Sequence, residues 1–217
     1  MDYKTYIFDF DFTLADAATG IVESINYALG KLGLPPESSG DIKKTVGMTL
    51  KETFFKLTHI SDKEKADLFV SHFKDMADKV MAASTVLFGD TIESLSTLKR
   101  NNRNTAVVTS KFRYRIEEVL NNYGIPELIG YIVGFEDVAS AKPSPEGLLK
   151  AAGYFGGDKK SVLYIGDSLI DANTAKNAKI DFAAVTTGTT AREEFLDLPH
   201  VCIADNLTGL LNWVGEL

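Results

Sequence analysis

Residues 6–14 have the sequence YIFDFDFTL, an apolar run that ends in two carboxylates, Asp9 and Asp11. The first three residues predict a buried strand, because the run is too short and too rich in β-formers for a helix. Alternation along a strand sends Asp9 and Asp11 to the same side, at the carboxyl edge where open α/β sheets bind ligands. Two close carboxylates repel each other unless a hard cation such as Mg²⁺ lies between them. The stretch therefore indicates a metal site, with a simple turn after an edge strand as the alternative.

Composition limits the class of protein and its partners. The chain has 217 residues, 45% of them hydrophobic and 24% charged, which suits one sizeable core or a core plus a small inserted domain. Its net charge of -7 argues against nucleic acid or an anionic membrane as the main partner. No apolar run has the length of a membrane span, and the chain opens with MDYK rather than a basic leader. We therefore expect a cytoplasmic protein, monomeric or weakly homodimeric, and its single cysteine excludes an internal disulfide.

Periodicity predicts two domains. Residues 16–85 are helical in character, with Ile21, Ile25 and Leu29 at helical spacing. Short apolar strands then alternate with helices; the predicted strands are 105–108, 131–133, 161–165 and 182–185. This alternation predicts an α/β fold with a doubly wound parallel sheet. The core domain comprises residues 1–15 and 86–217, and residues 16–85 form a small all-helical cap domain.

Hydroxyl and lysine side chains follow two of the predicted strands. Thr109 and Ser110 precede a helix, where a hydroxyl either donates to a phosphate or caps the helix. We assign Thr109 to phosphate, and Ser110 to a cap or a second substrate contact. Lys142 lies in a rigid loop, because Pro143 restricts its backbone, and such a loop suits a cation aimed at a fixed target. The alternative for Lys142 is an ordinary solvated surface lysine.

Two more acids follow the strand at 161–165. Asp167 and Asp171 lie in the segment GDSLID, residues 166–171, at the start of a predicted helix. They complement the helix dipole on one interpretation. Together with Asp9 and Asp11 they form an acidic cluster that would be costly without a cation.

Three cations follow Thr109 in the sequence. They are Lys111, Arg113 and Arg115. They could contact a substrate anion, but a solvated helix face is at least as good an interpretation.

The motifs occur in a fixed order, each after its own predicted strand. They are Asp9-Phe-Asp11-Phe-Thr13, then Thr109, then Lys142, then residues 166–171. This order resembles the haloacid dehalogenase (HAD) superfamily of phosphohydrolases, over nearly the whole chain. The resemblance implies a Rossmann-like core, Mg²⁺ as the cofactor and a small phosphorylated metabolite as the substrate.

The same resemblance implies a role for each motif residue. Asp9 is the nucleophile that forms an aspartyl phosphate, and Asp11 is the general acid and base. Lys142 bridges Asp9 and the phosphate. Asp167 is a direct Mg²⁺ ligand and Asp171 an outer-shell acid, while Asp11 contributes its main-chain carbonyl. The implied metal set is therefore Asp9, Asp11, Asp167 and Asp171.

Two positions bear on substrate choice. The family usually has glycine where this chain has Phe12, and a bulky residue limits φ there. We expect Phe12 to reshape the pocket entrance without abolishing activity. Residues 14–18, 32–36 and 46–50 resemble the phosphoglycolate phosphatase group. In the last of these segments we expect Gly47 to reach the substrate pocket, with a plain interhelical turn as an equal alternative.

The expected function is a Mg²⁺-dependent phosphatase that acts on a phosphoglycolate-like metabolite or a sugar phosphate. A mutase resembling β-phosphoglucomutase is the alternative, although residues 15–20 lack the histidine of those enzymes. A pyrophosphatase-type member of the same group is a further alternative. A haloacid dehalogenase is disfavoured because Asp11 is present, and a non-catalytic module because no core acid is missing.

Overall fold

The computed structural model describes residues 2–217, which divide into two compact units. The core unit contains the residues up to Ala15 together with Leu87–Leu217, and the helical unit is Asp16–Val86. The strands, in chain order, are β1 (Thr5–Phe8), β2 (Ala15–Asp16), β3 (Val86–Leu87), β4 (Asn104–Val108), β5 (Tyr131–Val133), β6 (Val162–Gly166), β7 (Asp181–Val185) and β8 (Cys202–Ala204). The helices are α1 (Ala18–Lys31), α2 (Ser39–Lys43), α3 (Leu50–Thr58), α4 (Lys63–Ser84), α5 (Thr91–Arg100), α6 (Arg113–Asn122), α7 (Glu146–Tyr154), α8 (Leu169–Ala178) and α9 (Leu207–Val214).

The core unit is built on a six-stranded parallel sheet with the order β5-β4-β1-β6-β7-β8. Every residue of β1 is buried, as the apolar run at its position predicts. The predicted α/β fold with a doubly wound parallel sheet is therefore confirmed. Strand β8 and the two-residue strands β2 and β3 were not predicted from the sequence.

Alternation along β1 places side chains on both faces of the sheet. Ile7 packs with Tyr164 and Leu148 in the cluster beneath α7 and α8. Tyr6 lies on the opposite face, where its hydroxyl donates to Glu216 at 2.9 Å. Burial on both faces explains why the strands read as continuous apolar runs.

A buried ionic network holds the C-terminus against the core unit. Besides Tyr6, the Glu216 carboxylate accepts from the Asn101 side-chain amide at 2.8 Å and lies 2.7 Å from Nε of Arg103. The Glu216 side chain is only 4% exposed. Its charge is thus removed from water and depends on these partners.

The helical unit has its own apolar core. The buried residues of α1 and α4 include Ile25, Leu29, Phe69 and Phe73. A capping box between Thr49 and Glu52 starts α3. Within residues 2–217, no helix combines the length and apolar character that a bilayer crossing requires.

Candidate active site

Three residues predicted to form the site lie at one edge of the sheet, each after one of three neighbouring strands. Phe8 on β1 is in register with Val107 on β4 and with Ile165 on β6. Asp9, Thr109 and Asp167 each follow one of these strands, so they emerge side by side at the carboxyl edge. The main-chain N–H of Asp9 continues the ladder and donates to the carbonyl of Ile165 at 2.8 Å.

A trio of buried carboxylates forms the centre of the site. Oxygen atoms of Asp9, Asp167 and Asp171 all lie within 4.8 Å of one another. Nζ of Lys142 is 2.9 Å from Asp9 and 2.7 Å from Asp171, and its side chain is 5% exposed. Lys142 is therefore no solvated surface lysine, and it neutralises part of the negative charge of the trio.

Asp171 is fixed by donors from the protein itself. Its Oδ1 accepts from Lys142 and, at 2.8 Å, from the Tyr164 hydroxyl, while Oδ2 accepts from the Ser168 hydroxyl at 2.5 Å. Ser168 also caps α8 by accepting from the Asp171 N–H. A Cβ on Gly166 would stand 2.5 Å from the Asp171 side chain, so only glycine leaves room for this carboxylate.

Burial and mutual repulsion change the acidity of these groups. Burial raises the pKa of Asp9 to about 7, against the opposing attraction of Lys142. Burial also raises the pKa of Asp167 well above its usual range, and the Asp171 charge adds to the effect. Burial opposes the charged form of Lys142, but the carboxylates of Asp171 and Asp9 prevail and raise its pKa. Desolvated carboxylates that repel each other are a good environment for a cation.

The Asp11 carboxylate lies outside this trio and has a partner of its own. Nζ of Lys111 lies 2.6 Å from each of its two oxygens. The Lys111 side chain is 9% exposed and that of Asp11 11% exposed. Of the two alternatives for Lys111, the solvated helix face is wrong, because the lysine precedes α6 and turns inward to this carboxylate.

A loop after β7 encloses Asp167 on its other side. The Asp167 carboxylate accepts from the Thr13 hydroxyl at 3.2 Å. A Cβ on Gly188 would overlap the same carboxylate, so only glycine allows the loop to come this close. The neighbouring Thr187 hydroxyl donates to the main-chain carbonyl of Phe12.

Thr109, Ser110 and Lys142 line one small cavity of about 10 Å³, which is the space of a single water. The oxygen of the Thr109 side chain accepts from the N–H of Lys111 at 3.1 Å. The prediction that Ser110 caps the following helix is wrong. Helix α6 starts only at Arg113, whose N–H donates to the Glu136 carboxylate at 3.0 Å, because the loop after β4 is longer than a cap allows.

The two positions linked to substrate choice lie in different units. Phe12 belongs to the core unit, is 5% exposed and has a φ of 60°, the left-handed region in which glycine is usual. Gly47 lies in the helical unit between α2 and α3 with a φ of 95°. Its contact with substrate stays a prediction.

Sequence reasoning missed three contributors: Tyr164, Thr187 and Gly188. The last two follow β7 at the carboxyl edge, so the rule that selected Thr109 and Asp167 would have found them. Tyr164 gave no such signal, because it lies within a strand and reads as an apolar core residue.

A parallel α/β sheet that carries clustered carboxylates and a buried lysine at its carboxyl edge has the features of an enzyme active site. The family model for haloacid dehalogenase-like hydrolases matches residues 6–185. The chain therefore belongs to the haloacid dehalogenase-like hydrolase family.

Relatives of this chain span nearly its full length. It is 29% identical to a phosphoglycolate phosphatase of Caulobacter vibrioides, and the aligned region covers 92% of this chain and 90% of the relative. It is also 29% identical to the pyrophosphatase PpaX of Oceanobacillus iheyensis, with 85% and 84% covered. Among solved structures, a haloacid dehalogenase-like hydrolase from Bacteroides fragilis is similar, with a TM-score of 0.93, 39% identity and coverage of 96% and 99%.

Proposed function

We propose that this protein is a Mg²⁺-dependent phosphatase that hydrolyses the phosphomonoester of a small metabolite through an aspartyl phosphate on Asp9. The observation that carries the proposal is the buried trio of Asp9, Asp167 and Asp171 with Lys142 bound between two of its members. The phosphatase names of relatives such as the one from Caulobacter vibrioides support it. The substrate class we propose is a phosphoglycolate-like acid or a sugar phosphate.

The donor set fits a hard divalent cation. Asp9 and Asp167 would hold Mg²⁺ directly, because both carboxylates are desolvated and repel each other. Both oxygens of Asp171 already accept hydrogen bonds from the protein, which suits an outer-shell position. The Asp11 carboxylate is paired with Lys111, so we assign the main-chain carbonyl of Asp11, and not its side chain, to the metal. When bound, Mg²⁺ supplies charge neutralisation for the phosphoryl oxygens.

Each side chain of the site has its own role in the proposed reaction. Asp9 attacks phosphorus in line, and Lys142 orients that carboxylate and binds a phosphoryl oxygen. Thr109 accepts from the main-chain N–H of Lys111 through its side-chain oxygen, and its O–H would donate to the phosphoryl group. Asp11 protonates the leaving oxygen and then takes a proton from the water that hydrolyses the intermediate. Ser110 is a second phosphate contact.

Two alternatives use the same residues of the core unit. A mutase of the β-phosphoglucomutase kind would return the phosphoryl group to a second sugar hydroxyl. A pyrophosphatase is favoured by one specific observation, the similarity to pyrophosphatase PpaX. Inorganic pyrophosphate therefore belongs in any substrate screen.

The first experiment tests the metal and the nucleophile. Release of p-nitrophenol from p-nitrophenyl phosphate should stop with EDTA and return with Mg²⁺. Asp9→Asn should abolish turnover and covalent phosphate. Asp11→Asn should lose turnover yet accumulate aspartyl phosphate from acetyl phosphate, whose leaving group needs no proton. Substantial turnover by Asp9→Asn would show that another group is the nucleophile.

The second experiment separates hydrolysis from isomerisation. A phosphatase passes the aspartyl phosphate to water, so ¹⁸O from the solvent should appear in the released phosphate. A mutase given β-glucose 1-phosphate and a bisphosphate primer would instead form glucose 6-phosphate faster than it frees phosphate. Rapid isomerisation with negligible phosphate release would replace the phosphatase proposal with the mutase alternative.

Substrate selectivity is proposed to depend on Phe12 and Gly47. The residues that bind phosphate are generic, so discrimination must come from elsewhere. Phe12→Leu and Gly47→Ala should change the ranking of phosphorylated metabolites more than they change turnover of p-nitrophenyl phosphate. An unchanged ranking in both variants would remove these two residues from the substrate site.

A further inference from the structure

Lys111 is a buried cation whose main chain is fixed and whose side chain has a single carboxylate partner among the contacts of the site. Its N–H donates to the Thr109 hydroxyl oxygen, and its carbonyl accepts from the N–H of Phe135 at 2.8 Å. The ammonium contacts both oxygens of Asp11 at 2.6 Å. Movement at this position is therefore left to the side chain.

The distribution of charge makes Lys111 the cation that can change partner. Lys142 is held by Asp9 and Asp171 together. Among residues 2–217, Asp11 is the one carboxylate paired with Lys111, and in the proposed function Asp11 must turn to the leaving oxygen of the substrate. A buried ammonium that loses its counterion is strongly unfavourable unless another anion takes its place.

The two arginines that follow Lys111 are engaged elsewhere. The guanidinium of Arg113 pairs with the Asp137 carboxylate. The guanidinium of Arg115 lies over the rings of Phe112 and Tyr114, at 5.8 and 5.5 Å from their centroids. Of the three cations after β4, Lys111 is thus the one directed at the acids of the site.

We propose that Lys111 is a substrate-binding residue that exchanges the Asp11 carboxylate for a phosphoryl oxygen of the substrate. The inference rests on the proposed phosphatase function. The exchange breaks no covalent bond and moves no proton. It links the arrival of the phosphoryl group to the release of the Asp11 carboxylate, which can take up the proton needed for the leaving oxygen only after Lys111 has left it.

Calorimetric titration with inorganic phosphate in the presence of Mg²⁺ tests the exchange without turnover. Asp11→Asn should bind phosphate more tightly than the wild type, because the carboxylate no longer competes for Lys111. Adding Lys111→Met in that background should weaken binding by at least about tenfold. Lys111→Gln, which removes the charge but keeps a polar side chain, should cause the same loss. Lys150→Met, which removes an exposed lysine bonded to the Asp137 carbonyl, is the matched control and should leave binding unchanged.

The Asp11→Asn background decides between binding and a purely structural role. If Lys111 only anchors Asp11, both lysine variants will bind phosphate within about twofold of Asp11→Asn, and the inference is overturned while the phosphatase proposal stands. If the wild type neither binds phosphate nor hydrolyses p-nitrophenyl phosphate with Mg²⁺, the proposed function fails and the inference with it. Thermal unfolding of each variant, compared with Asp11→Asn, verifies that any loss of binding arises in a folded protein.

Discussion

The backbone conformation at Phe12 predicts that a glycine variant is more stable than an alanine variant, the reverse of the usual order. Phe12 has a φ of 60° and is 5% exposed. Phe12→Ala and Phe12→Gly both lose the buried ring, which costs roughly 3–5 kcal/mol in either variant. Only the alanine variant keeps a Cβ, which in the left-handed region lies too close to the following carbonyl oxygen and costs roughly 1–2 kcal/mol.

The difference between the two variants can be worked out from these terms. Glycine gains about 1.5 kcal/mol from the relieved backbone. It loses about 0.7 kcal/mol because its unfolded chain is more flexible. Phe12→Gly should therefore be more stable than Phe12→Ala by about 0.8 kcal/mol, and at a urea slope of about 2 kcal/mol/M its midpoint should be about 0.4 M higher.

Equilibrium unfolding in urea, followed by circular dichroism and by the fluorescence of the single tryptophan, Trp213, measures this difference. Trp213 lies in the core unit with Phe12, so its signal reports the relevant unit. Glu93 on α5 gives a matched control with helical backbone, where Glu93→Gly should be less stable than Glu93→Ala by about 1 kcal/mol. Equal or greater stability of Phe12→Ala would refute the assignment of strain to this position.

Three further predictions concern the acids and the C-terminus. Because the pKa of Asp9 is raised on folding, the folded, metal-free protein binds the Asp9 proton more tightly than the unfolded chain does. This proton binding stabilises the fold fully below the unfolded pKa near 3.8, and the stabilisation is lost as the pH rises to about 7. Thermal unfolding in EDTA should accordingly show a Tm that falls from pH 5 to 8, and Mg²⁺ should raise Tm more at pH 8; a pH-independent Mg²⁺ effect would contradict this. Gly188→Ala should push the Asp167 carboxylate aside and weaken Mg²⁺ binding about tenfold in calorimetry, whereas Gly153→Ala, where a Cβ meets no atom within 4 Å, should not. Glu216→Ala should lower the free energy of unfolding by about 3 kcal/mol in urea melts, because it leaves Arg103 without its buried partner; a loss below about 0.5 kcal/mol would mean that the network does not hold the C-terminus.

The sequence by itself determined the central strands of the sheet and the edge at which the site lies. A short apolar run rich in β-formers favours a buried strand, and side-chain alternation with the direction of parallel strands places Asp9, Thr109 and Asp167 together. These inferences need no knowledge of distant contacts, because each depends on residues within a few positions of one another. The roles of the individual residues remain proposals, whereas their convergence at one sheet edge follows from the strand order.

Only the tertiary structure decided which side chains meet. Asp11 pairs with Lys111, which is 100 residues away, and Tyr6 bonds to Glu216 across 210 residues. Ser110 does not cap α6, because the path of the loop brings in Glu136 from the next connection instead. The physical reason is the same in each case. A side-chain hydrogen bond forms over about 3 Å, and which groups come within that distance depends on how loops of differing length pack, not on the local pattern that specifies a helix or a strand.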